Sequence, residues 1–185
     1  MLVSFVGACA VAAIGYAIVP GHCGIRSRAT LSKSQQCARI AAHHSTMLIR
    51  PFRTEDEDTI VALWQACGLT RPWNDPHRDI ARKLTEQPEL FLVGELGGQP
   101  VASAMVGFDG HRGWVYYLAV HPELQGKGYG RMLMAHAEQL LVERGCPKIN
   151  LLVRAGNRAV IDFYDQLGYA PDEAVSLGKR LIPDI

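Results

Sequence analysis

The chain has 185 residues, of which 48% are hydrophobic and 20% charged, and its formal net charge is +1 at pH 7. This length suits one well-cored domain and is too short for two of ordinary size. The near-neutral charge argues against a nucleic-acid partner or a generally acidic one, so any basic function must be local. An odd number of cysteines without CxxC or zinc spacing favours reduced thiols, a reducing compartment and no metal site. The five are Cys9, Cys23, Cys37, Cys67 and Cys146.

The first 46 residues are predicted to precede the folded domain, as an apolar segment followed by a linker. Residues 2–19 carry no charge and are about long enough to cross a bilayer as a helix, which makes them a candidate anchor. Basic residues follow this segment and would keep everything downstream in the cytoplasm. The alternative is that Met47 is the biological start and that the preceding residues are translated upstream sequence. Both interpretations predict a cytoplasmic domain over residues 47–185, tethered to the inner face of the membrane only if the anchor is real.

The domain opens with a predicted strand and helix. LIRPFR, residues 48–53, alternates in hydrophobicity as a strand does. Thr54 and Glu57 then form a T-x-x-E capping box, which predicts a helix that ends at Gly68. The inward face of this helix comprises Ile60, Leu63, Trp64 and Cys67.

A second helix and three strands are predicted next. Asp75 followed by Pro76 is an N-cap and N1 pair, and the helix it opens stops near Pro88. FLVGEL and PVASAMVGF flank Gly97 and Gly98, a tight hairpin signal, and WVYYLAV follows a second turn. The pattern therefore predicts three consecutive antiparallel strands.

The last part of the chain predicts two helices and two strands. The first helix has one apolar face and ends at Gly145. KINLLVR is a continuous apolar run typical of a buried strand. Asn157 is predicted to cap the last helix, which ends at Gly168, and AVSLGKRL can return as a final strand. The apolar face of the first helix comprises Gly130, Leu133, Met134, Ala137, Leu140 and Leu141.

The segment VHPELQGKGYGRML, residues 120–133, places three glycines and two cations at the start of a predicted helix. The unpaired N–H groups and the macrodipole of a helix N-terminus favour an anion, most often a phosphate. The segment lacks the GxxxxGKS/T pattern of a P-loop and does not satisfy GxGxxG. A dinucleotide fingerprint also belongs at the first turn of a parallel unit, whereas three antiparallel strands precede this loop.

The pattern VxPxxQGKGYG, followed further along by NxxVxxFYxxLGY, resembles the GNAT superfamily of acetyl-CoA-dependent N-acetyltransferases. The signature loop of that superfamily, R/Q-x-x-G-x-G/A, is met by Gln125, Gly128 and Gly130. The resemblance covers about residues 47–185. It implies an α/β GNAT fold with a mixed, mostly antiparallel twisted sheet flanked by about four helices. Within the superfamily, GCPKINLLV and SLGKRLIPD look closest to the bacterial YpeA-type proteins.

The resemblance implies a binding site for acetyl-CoA. The loop would hold the pyrophosphate through successive N–H groups, aided by the charges of Lys127 and Arg131. The strand before the loop would splay from the next strand and bind the pantetheine arm as an added strand does. An N–H group near Leu118 or Ala119 would stabilise the oxyanion, and Tyr164 would protonate the leaving sulfur. The implied coenzyme-binding residues are Leu118, Ala119, Val120, Gln125, Gly126, Lys127, Gly128, Tyr129, Gly130, Arg131 and Asn157.

No carboxylate is assigned as the general base. A lysine-like amine, with a pKa of about 10.4, must lose a proton before it attacks the thioester. Family members often supply a carboxylate from the strand before the loop or from the next strand. Neither strand has one here, and Leu152 stands where some relatives that acetylate peptide N-termini carry glutamate. One hypothesis is a water chain that ends on Tyr116, Tyr117 or Glu95.

The acceptor groove is expected to include the loop GLTRPWNDPHRD, in which Arg71 and Trp73 could recognise a partner. Trp73 could equally be a hydrophobic plug. Cys146 is expected to be a buried thiol that forms no acetyl-enzyme. Three histidines are expected to be exposed and idle: His77, His111 and His121.

The function that the resemblance implies is direct transfer of acetyl from acetyl-CoA to a primary amine, without a metal. The acceptor could be a peptide or protein N-terminus, a lysine or a small amine. The alternative is a non-catalytic acyl-CoA-binding regulatory module, which the missing carboxylate favours. Exposed sheet edges commonly pair in small domains, so a homodimer is also open.

Overall fold

The computed structural model describes residues 46–182, and five strands form one mixed sheet within that range. They are β1 (Leu48–Pro51), β2 (Phe91–Leu96), β3 (Gln99–Phe108), β4 (Gly113–Val120) and β5 (Ile149–Asn150). The strands lie side by side in chain order. Each of the strands β1 to β4 runs antiparallel to its neighbour among them, and β5 runs parallel to β4. The three consecutive antiparallel strands predicted from the sequence are confirmed.

Four α-helices flank the sheet in the same part of the chain. They are α1 (Glu57–Ala66), α2 (Pro76–Thr85), α3 (Tyr129–Glu143) and α4 (Arg158–Asp165). Sheet and helices together confirm the predicted fold class. Across residues 46–182 no helix has the length and apolar character that a bilayer span requires. The candidate anchor at residues 2–19 lies outside the described residues.

The two faces of the sheet are covered by different helices. On one face, Ile60 and Trp64 of α1 pack with Phe91, Val93 and Met105 in a buried cluster. Residues that alternate with these along the strands point to the opposite face, where α3 packs on β2, β3 and β4. The buried residues of α3 are Leu133, Met134, Ala137 and Leu141, whereas Leu140 is only half-buried.

Two local signals in the sequence form as predicted. The Asp75 carboxylate accepts hydrogen bonds from the backbone N–H groups of His77 and Arg78, so it caps α2. Gly97 and Gly98 both have positive φ, +59° and +80°, as a two-residue turn between antiparallel strands requires.

The predicted capping box of α1 is wrong. Residues Thr54–Asp56 form a single 3₁₀ turn, and α1 begins one turn later than predicted. Arg53 is the N-cap of this turn and Asp56 takes the place predicted for Glu57, because its Oδ2 accepts a hydrogen bond from Arg53 N at 2.8 Å. The same carboxylate accepts two bonds from the Arg50 guanidinium, at 2.7 and 2.9 Å, which fixes the start of α1 against β1.

The predicted buried strand KINLLVR forms only in part. β5 contains two residues, and residues 151–153 are half-buried outside any strand. β4 and β5 pair only at Gly113 with Ile149 and at Trp114 with Asn150. Beyond that point the backbone lacks a ladder partner among the described residues, and a strand requires one.

The predicted final strand AVSLGKRL is absent from the described residues. Residues 174–181 have no regular secondary structure, and Val175 and Leu177 are 85% and 91% exposed. Asp172, which precedes this segment, pairs with Lys148, whose Nζ lies 2.6 Å from both of its carboxylate oxygens. The alternation of apolar residues was therefore not sufficient, because β5 ends before it can offer this segment a neighbour.

Candidate functional site

A β-bulge interrupts β4 at Tyr117. Tyr116 lies opposite Met105 and Ala119 opposite Ser103, so two residues of β4, Tyr117 and Leu118, face one residue of β3. Tyr117 has a φ of +47°, a left-handed conformation that is costly for a residue with a bulky side chain. Such a bulge disrupts the ladder locally and re-aims the backbone groups next to it.

Buried contacts hold the bulge in place. The Tyr117 ring stacks on the Trp64 ring with centroids 4.0 Å apart. Trp64 Nε1 donates to Ser103 Oγ at 2.9 Å, and Ser103 Oγ donates to the Tyr117 carbonyl at 3.4 Å. The Tyr117 hydroxyl donates to Asp79 Oδ2 of α2 at 2.6 Å. Helices α1 and α2 and strand β3 therefore all fix the conformation of Tyr117.

The open edge of β4 lies next to this bulge. Because pairing with β5 stops at Trp114, the segment containing Leu118, Ala119 and Val120 has no β5 partner within the described residues. The Val120 carbonyl already accepts hydrogen bonds from Cys67 Sγ at 3.3 Å and from Gln125 Nε2 at 3.0 Å. Burial raises the pKa of the Cys67 thiol to about 11, so it stays protonated as a donor.

The glycine loop forms the entry to α3. Gly126 and Gly128 have φ of +74° and +87°, which only glycine adopts without strain. A Cβ at either position would meet no atom within 4 Å, so the space beside the loop is open. Gly128 is the N-cap of α3 and has no capping side chain. The first N–H groups of α3, beginning at Tyr129, therefore point out of the helix without intrahelical acceptors.

Cations flank these N–H groups. Lys127 and Arg131 are both exposed, one before and one after the start of α3. The side chain of Gln125 instead turns back to β4 through its bond to the Val120 carbonyl. Outward-pointing donors, positive charge and open space together are suited to binding an anion at this end of α3.

Tyr164 of α4 is buried, and its hydroxyl has no hydrogen-bond partner among the described residues. Burial raises the pKa of this phenol well above its usual value, so the hydroxyl remains a proton donor. The ring makes edge contacts with Phe163 and Tyr169, at centroid distances of 5.0 and 5.6 Å. A buried donor without an acceptor is costly, so this hydroxyl is available to an acceptor atom that a ligand would bring.

Close packing between α3 and α4 brings Phe163, the neighbour of Tyr164, against the glycine loop. A Cβ on Gly130 would lie 3.2 Å from the Phe163 ring, so glycine permits this approach. Asn157 is the N-cap residue of α4, but its side chain makes no capping bond, contrary to the sequence prediction. The structure thus brings together the glycine loop, the edge of β4 and α4.

A cavity of about 420 Å³ lies next to the bulge, between helix α2 and the strands β3 and β4. Tyr116 and Tyr117 both line it. Glu95, the third group in the hypothetical water chain, lies elsewhere in an ion pair, since Arg50 Nε is 2.8 Å from its Oε2. Asp79 also lines the cavity, and sequence reasoning missed it because it is one of several charged residues on α2. Ser103 was missed as well, although a lone hydroxyl in the apolar run PVASAMVGF was a usable signal.

Other residues singled out from the sequence have simpler roles. Trp73 is 53% exposed, so it is not a hydrophobic plug. The Arg71 guanidinium bonds to two carbonyls of its own loop, those of Gly68 and Thr70, at 2.7 Å each. Cys146 is half-buried rather than buried, and its thiol donates to the Lys148 carbonyl at 3.2 Å.

The histidines differ from one another. His77 is not idle, because its Nδ1 lies 2.6 Å from Glu57 Oε1 and links α2 to α1. His121 Nδ1 accepts a bond from Glu123 N at 3.4 Å, which caps the turn before the glycine loop. His111 Nδ1 lies 3.4 Å from the Arg112 guanidinium at an exposed turn.

The family model of the acetyltransferase (GNAT) family matches residues 49–169. The chain belongs to the GNAT family. The match spans β1 to the end of α4, and so includes the bulge, the glycine loop and Tyr164. The resemblance noted in the sequence is confirmed at this level, and this GNAT chain is an acetyltransferase by family.

Curated relatives and solved structures agree with this assignment. An acetyltransferase of Pectobacterium atrosepticum is 51% identical over 138 residues, which cover 75% of this chain and 98% of that protein. The ribosomal-protein-S18-alanine N-acetyltransferase of Escherichia coli matches with a TM-score of 0.57 and 27% identity, over 66% of this chain and 77% of that one. The PaiA N-acetyltransferase of Thermoplasma acidophilum, solved with coenzyme A, shares the fold with a TM-score of 0.61 and 17% identity, over 71% of this chain and 94% of that one.

Proposed function

We propose that this GNAT protein transfers the acetyl group of acetyl-CoA directly to a primary amine, with Tyr164 as the general acid. The observation that carries the proposal is the buried Tyr164 hydroxyl, which has no partner among the described residues and lies on the helix whose Phe163 packs against Gly130 at the start of α3. A phosphate-bearing thioester fits both features, since its pyrophosphate takes the helix end and its sulfur offers the hydroxyl an acceptor.

Coenzyme binding rests on the loop and on the β4 edge. N–H groups from Gln125 to Arg131 would hold the pyrophosphate, and Lys127 and Arg131 would add positive charge. The pantetheine amides would pair with backbone groups near Leu118 on the edge of β4 that lacks a β5 partner, as an added strand does. The Val120 carbonyl contributes little to this pairing, because Gln125 and Cys67 already occupy it.

The reaction centre is expected at the bulge. There the ladder between β3 and β4 is interrupted, so an N–H group near Leu118 is free to donate to the thioester oxygen. Such a donor, held rigidly where negative charge develops, lowers the barrier to attack. The contacts of Tyr117 with Trp64 and Asp79 supply that rigidity.

The proposed reaction balances as follows. The lone pair of a neutral amine forms a C–N bond to the thioester carbon, the C–S bond breaks, and the sulfur takes a proton from Tyr164. The nitrogen loses protons in turn, one of which restores Tyr164. One ammonium ion and one acetyl-CoA thus give one amide, one coenzyme thiol and one proton.

The test measures thiol release from acetyl-CoA with small amines and with peptides that present either a lysine or a free N-terminus. Tyr164→Phe should lower kcat about 100-fold or more, the usual worth of a positioned general acid, and should leave acetyl-CoA affinity unchanged. Tyr169→Phe is the matched control, because its hydroxyl already donates to Glu138 at 2.8 Å. A non-catalytic acyl-CoA-binding module would bind acetyl-CoA and release no thiol with any amine.

A further inference from the structure

The cavity beyond the bulge has the size and the walls of a small-ligand site. Its volume of about 420 Å³ lies within the range of about 300–1,000 Å³ that is common for such sites. The walls are mostly apolar and aromatic, with Met105, Phe108, Trp114 and Tyr116 on the strands. Trp114 and Tyr116 lie nearly parallel, with ring centroids 6.4 Å apart and an interplanar angle of 10°.

One residue joins this cavity to the reaction centre. Tyr117 lines the cavity with its side chain, while its backbone forms the bulge next to Leu118. Its hydroxyl donates to Asp79 Oδ2, and the Asp79 side chain is 11% exposed. A carboxylate is therefore held at the cavity wall by the residue that shapes the oxyanion site.

The charged residues around the cavity favour a positively charged ligand. Asp79 is paired with Arg82, whose Nη2 lies 2.5 Å from Oδ1, and Lys83 and Glu86 of α2 are of opposite sign. Asp109 adds a negative charge at the cavity wall, where it accepts bonds from the Trp114 indole at 3.0 Å and from two backbone N–H groups. These bonds hold the pKa of Asp109 at about 2, so it is ionised at any physiological pH.

We propose that this cavity binds the acceptor amine, with Asp79 contacting its nitrogen and the rings of Trp114 and Tyr116 contacting the apolar chain that carries it. The inference rests on the proposed transferase function and assigns its acceptor class: a primary amine on an aromatic or aliphatic chain. Asp79 supplies the carboxylate that neither β4 nor KINLLVR carries. It takes a proton from the ammonium ion and passes it to solvent, and the neutral nitrogen attacks the thioester at the bulge.

The side chain of Lys83 indicates how the cavity changes the pKa of an amine. Lys83 lines the cavity, and its Nζ donates to the Glu86 carbonyl at 2.7 Å. Burial lowers the pKa of this ammonium group to about 8. A bound alkylamine would experience the same loss of solvation, so a larger fraction of it would be neutral and able to attack near neutral pH.

Two substrate comparisons test the acceptor class on the purified full chain. Thiol release from acetyl-CoA is measured with 2-phenylethylamine and with ethanolamine, which lacks an apolar chain. We expect kcat/KM for 2-phenylethylamine to be higher by about tenfold or more, as contact with aromatic rings provides. Equal values would overturn the assignment of the apolar chain. A lysine peptide with a blocked N-terminus, compared with 2-phenylethylamine, separates a protein side chain from a free amine as the source of this chemistry.

Two variants test the site itself. Asp79→Asn still accepts the Tyr117 hydroxyl through its amide oxygen but lacks the charge and cannot take the proton. It should lower kcat for 2-phenylethylamine about tenfold or more and raise its KM. Trp114→Leu keeps an apolar side chain on β4 without the ring and should raise the same KM. Asp58→Asn, an exposed position on α1, is the matched control and should change nothing.

The outcomes separate the two proposals. If the wild-type chain acetylates amines and both cavity variants leave kcat and KM for the amine unchanged, the acceptor lies elsewhere and this inference is wrong. If acetyl-CoA binds but no amine releases thiol, the transferase function fails, and the inference that rests on it fails with it. Acetyl-CoA affinity, measured in parallel, should be the same in Asp79→Asn, Trp114→Leu and the wild-type chain.

Discussion

The indole Nε1 of Trp64 donates a hydrogen bond to the hydroxyl of Ser103 at 2.9 Å, and both side chains are fully buried. The Ser103 hydroxyl in turn donates a hydrogen bond to the carbonyl of Tyr117, the residue with positive φ at the bulge of β4. Trp64 also stacks on the Tyr117 ring. The unusual backbone at the proposed reaction centre is thus stabilised by a polar chain that lies entirely within the core.

Ser103→Ala should destabilise the protein and slow it. The substitution leaves the indole N–H of Trp64 unpaired in the core and removes the hydroxyl that donates to the Tyr117 carbonyl, which costs about 1–3 kcal/mol. Urea unfolding measures this loss, and thiol release should show a lower kcat because the bulge is less firmly held. Ser176→Ala, at an exposed position, is the matched control. Wild-type stability in Ser103→Ala would mean that the bulge does not depend on this bond.

A double-mutant cycle isolates the bond between Trp64 and Ser103. Trp64→Phe removes the indole donor, so Ser103→Ala in that background no longer leaves it unpaired. The two losses of unfolding free energy should therefore sum to more than the loss in the double variant. Additivity within about 0.5 kcal/mol, as found for independent sites, would contradict the coupling.

Tyr164→Phe should not destabilise the free protein. The hydroxyl has no partner among the described residues, so its removal relieves an unpaired buried donor. We expect the unfolding free energy without acetyl-CoA to stay constant or to rise by about 1 kcal/mol. A fall of that size, in the same urea titration, would show that the hydroxyl is bonded within the free protein.

The pair between His77 and Glu57 should make stability depend on pH. The hydrogen bond that His77 donates to Glu57, together with the negative charge of that carboxylate, raises the pKa of His77 above its ordinary value. The stabilisation is therefore complete below the unfolded pKa of about 6.5 and is lost as pH rises through the higher folded pKa. His77→Gln should show a smaller fall in unfolding free energy over that window, whereas equal slopes would show that the pair contributes nothing.

Much of the fold follows from local signals in the sequence. Asp75 with Pro76 identified the start of α2, and Gly97 with Gly98 identified the hairpin, because cap and turn conformations demand those residue types at those positions. The start of α1 was misplaced, since the choice between Glu57 and Asp56 as the carboxylate of the capping box depends on Arg50 of β1. That contact joins residues that only the folded sheet brings together.

The end of the sheet and half of the site could not be predicted. KINLLVR has a strand-like composition, but strand formation requires a paired neighbour, and its pairing with β4 stops at Trp114. The glycine loop and Tyr164 could be predicted, because each lies in a motif of the family pattern. Asp79 reaches the site only because Tyr117 extends across the core to α2, and no spacing in the sequence encodes that meeting.

The central claim is that the loop before α3 binds the pyrophosphate of acetyl-CoA, and calorimetric titration of the purified chain tests it most directly. Gly128→Ala places a Cβ at a φ of +87°, so the free loop should relax to another conformation, and restoring the binding conformation costs about 1–2 kcal/mol. The equivalent control is Gly97→Ala, at +59° in the distant hairpin.

We predict measurable heat of association with acetyl-CoA and with coenzyme A. Affinity should be unchanged in Gly97→Ala and about tenfold lower in Gly128→Ala, the equivalent of the strain at that position. No heat with either ligand, for a wild-type chain that is folded, would contradict the account.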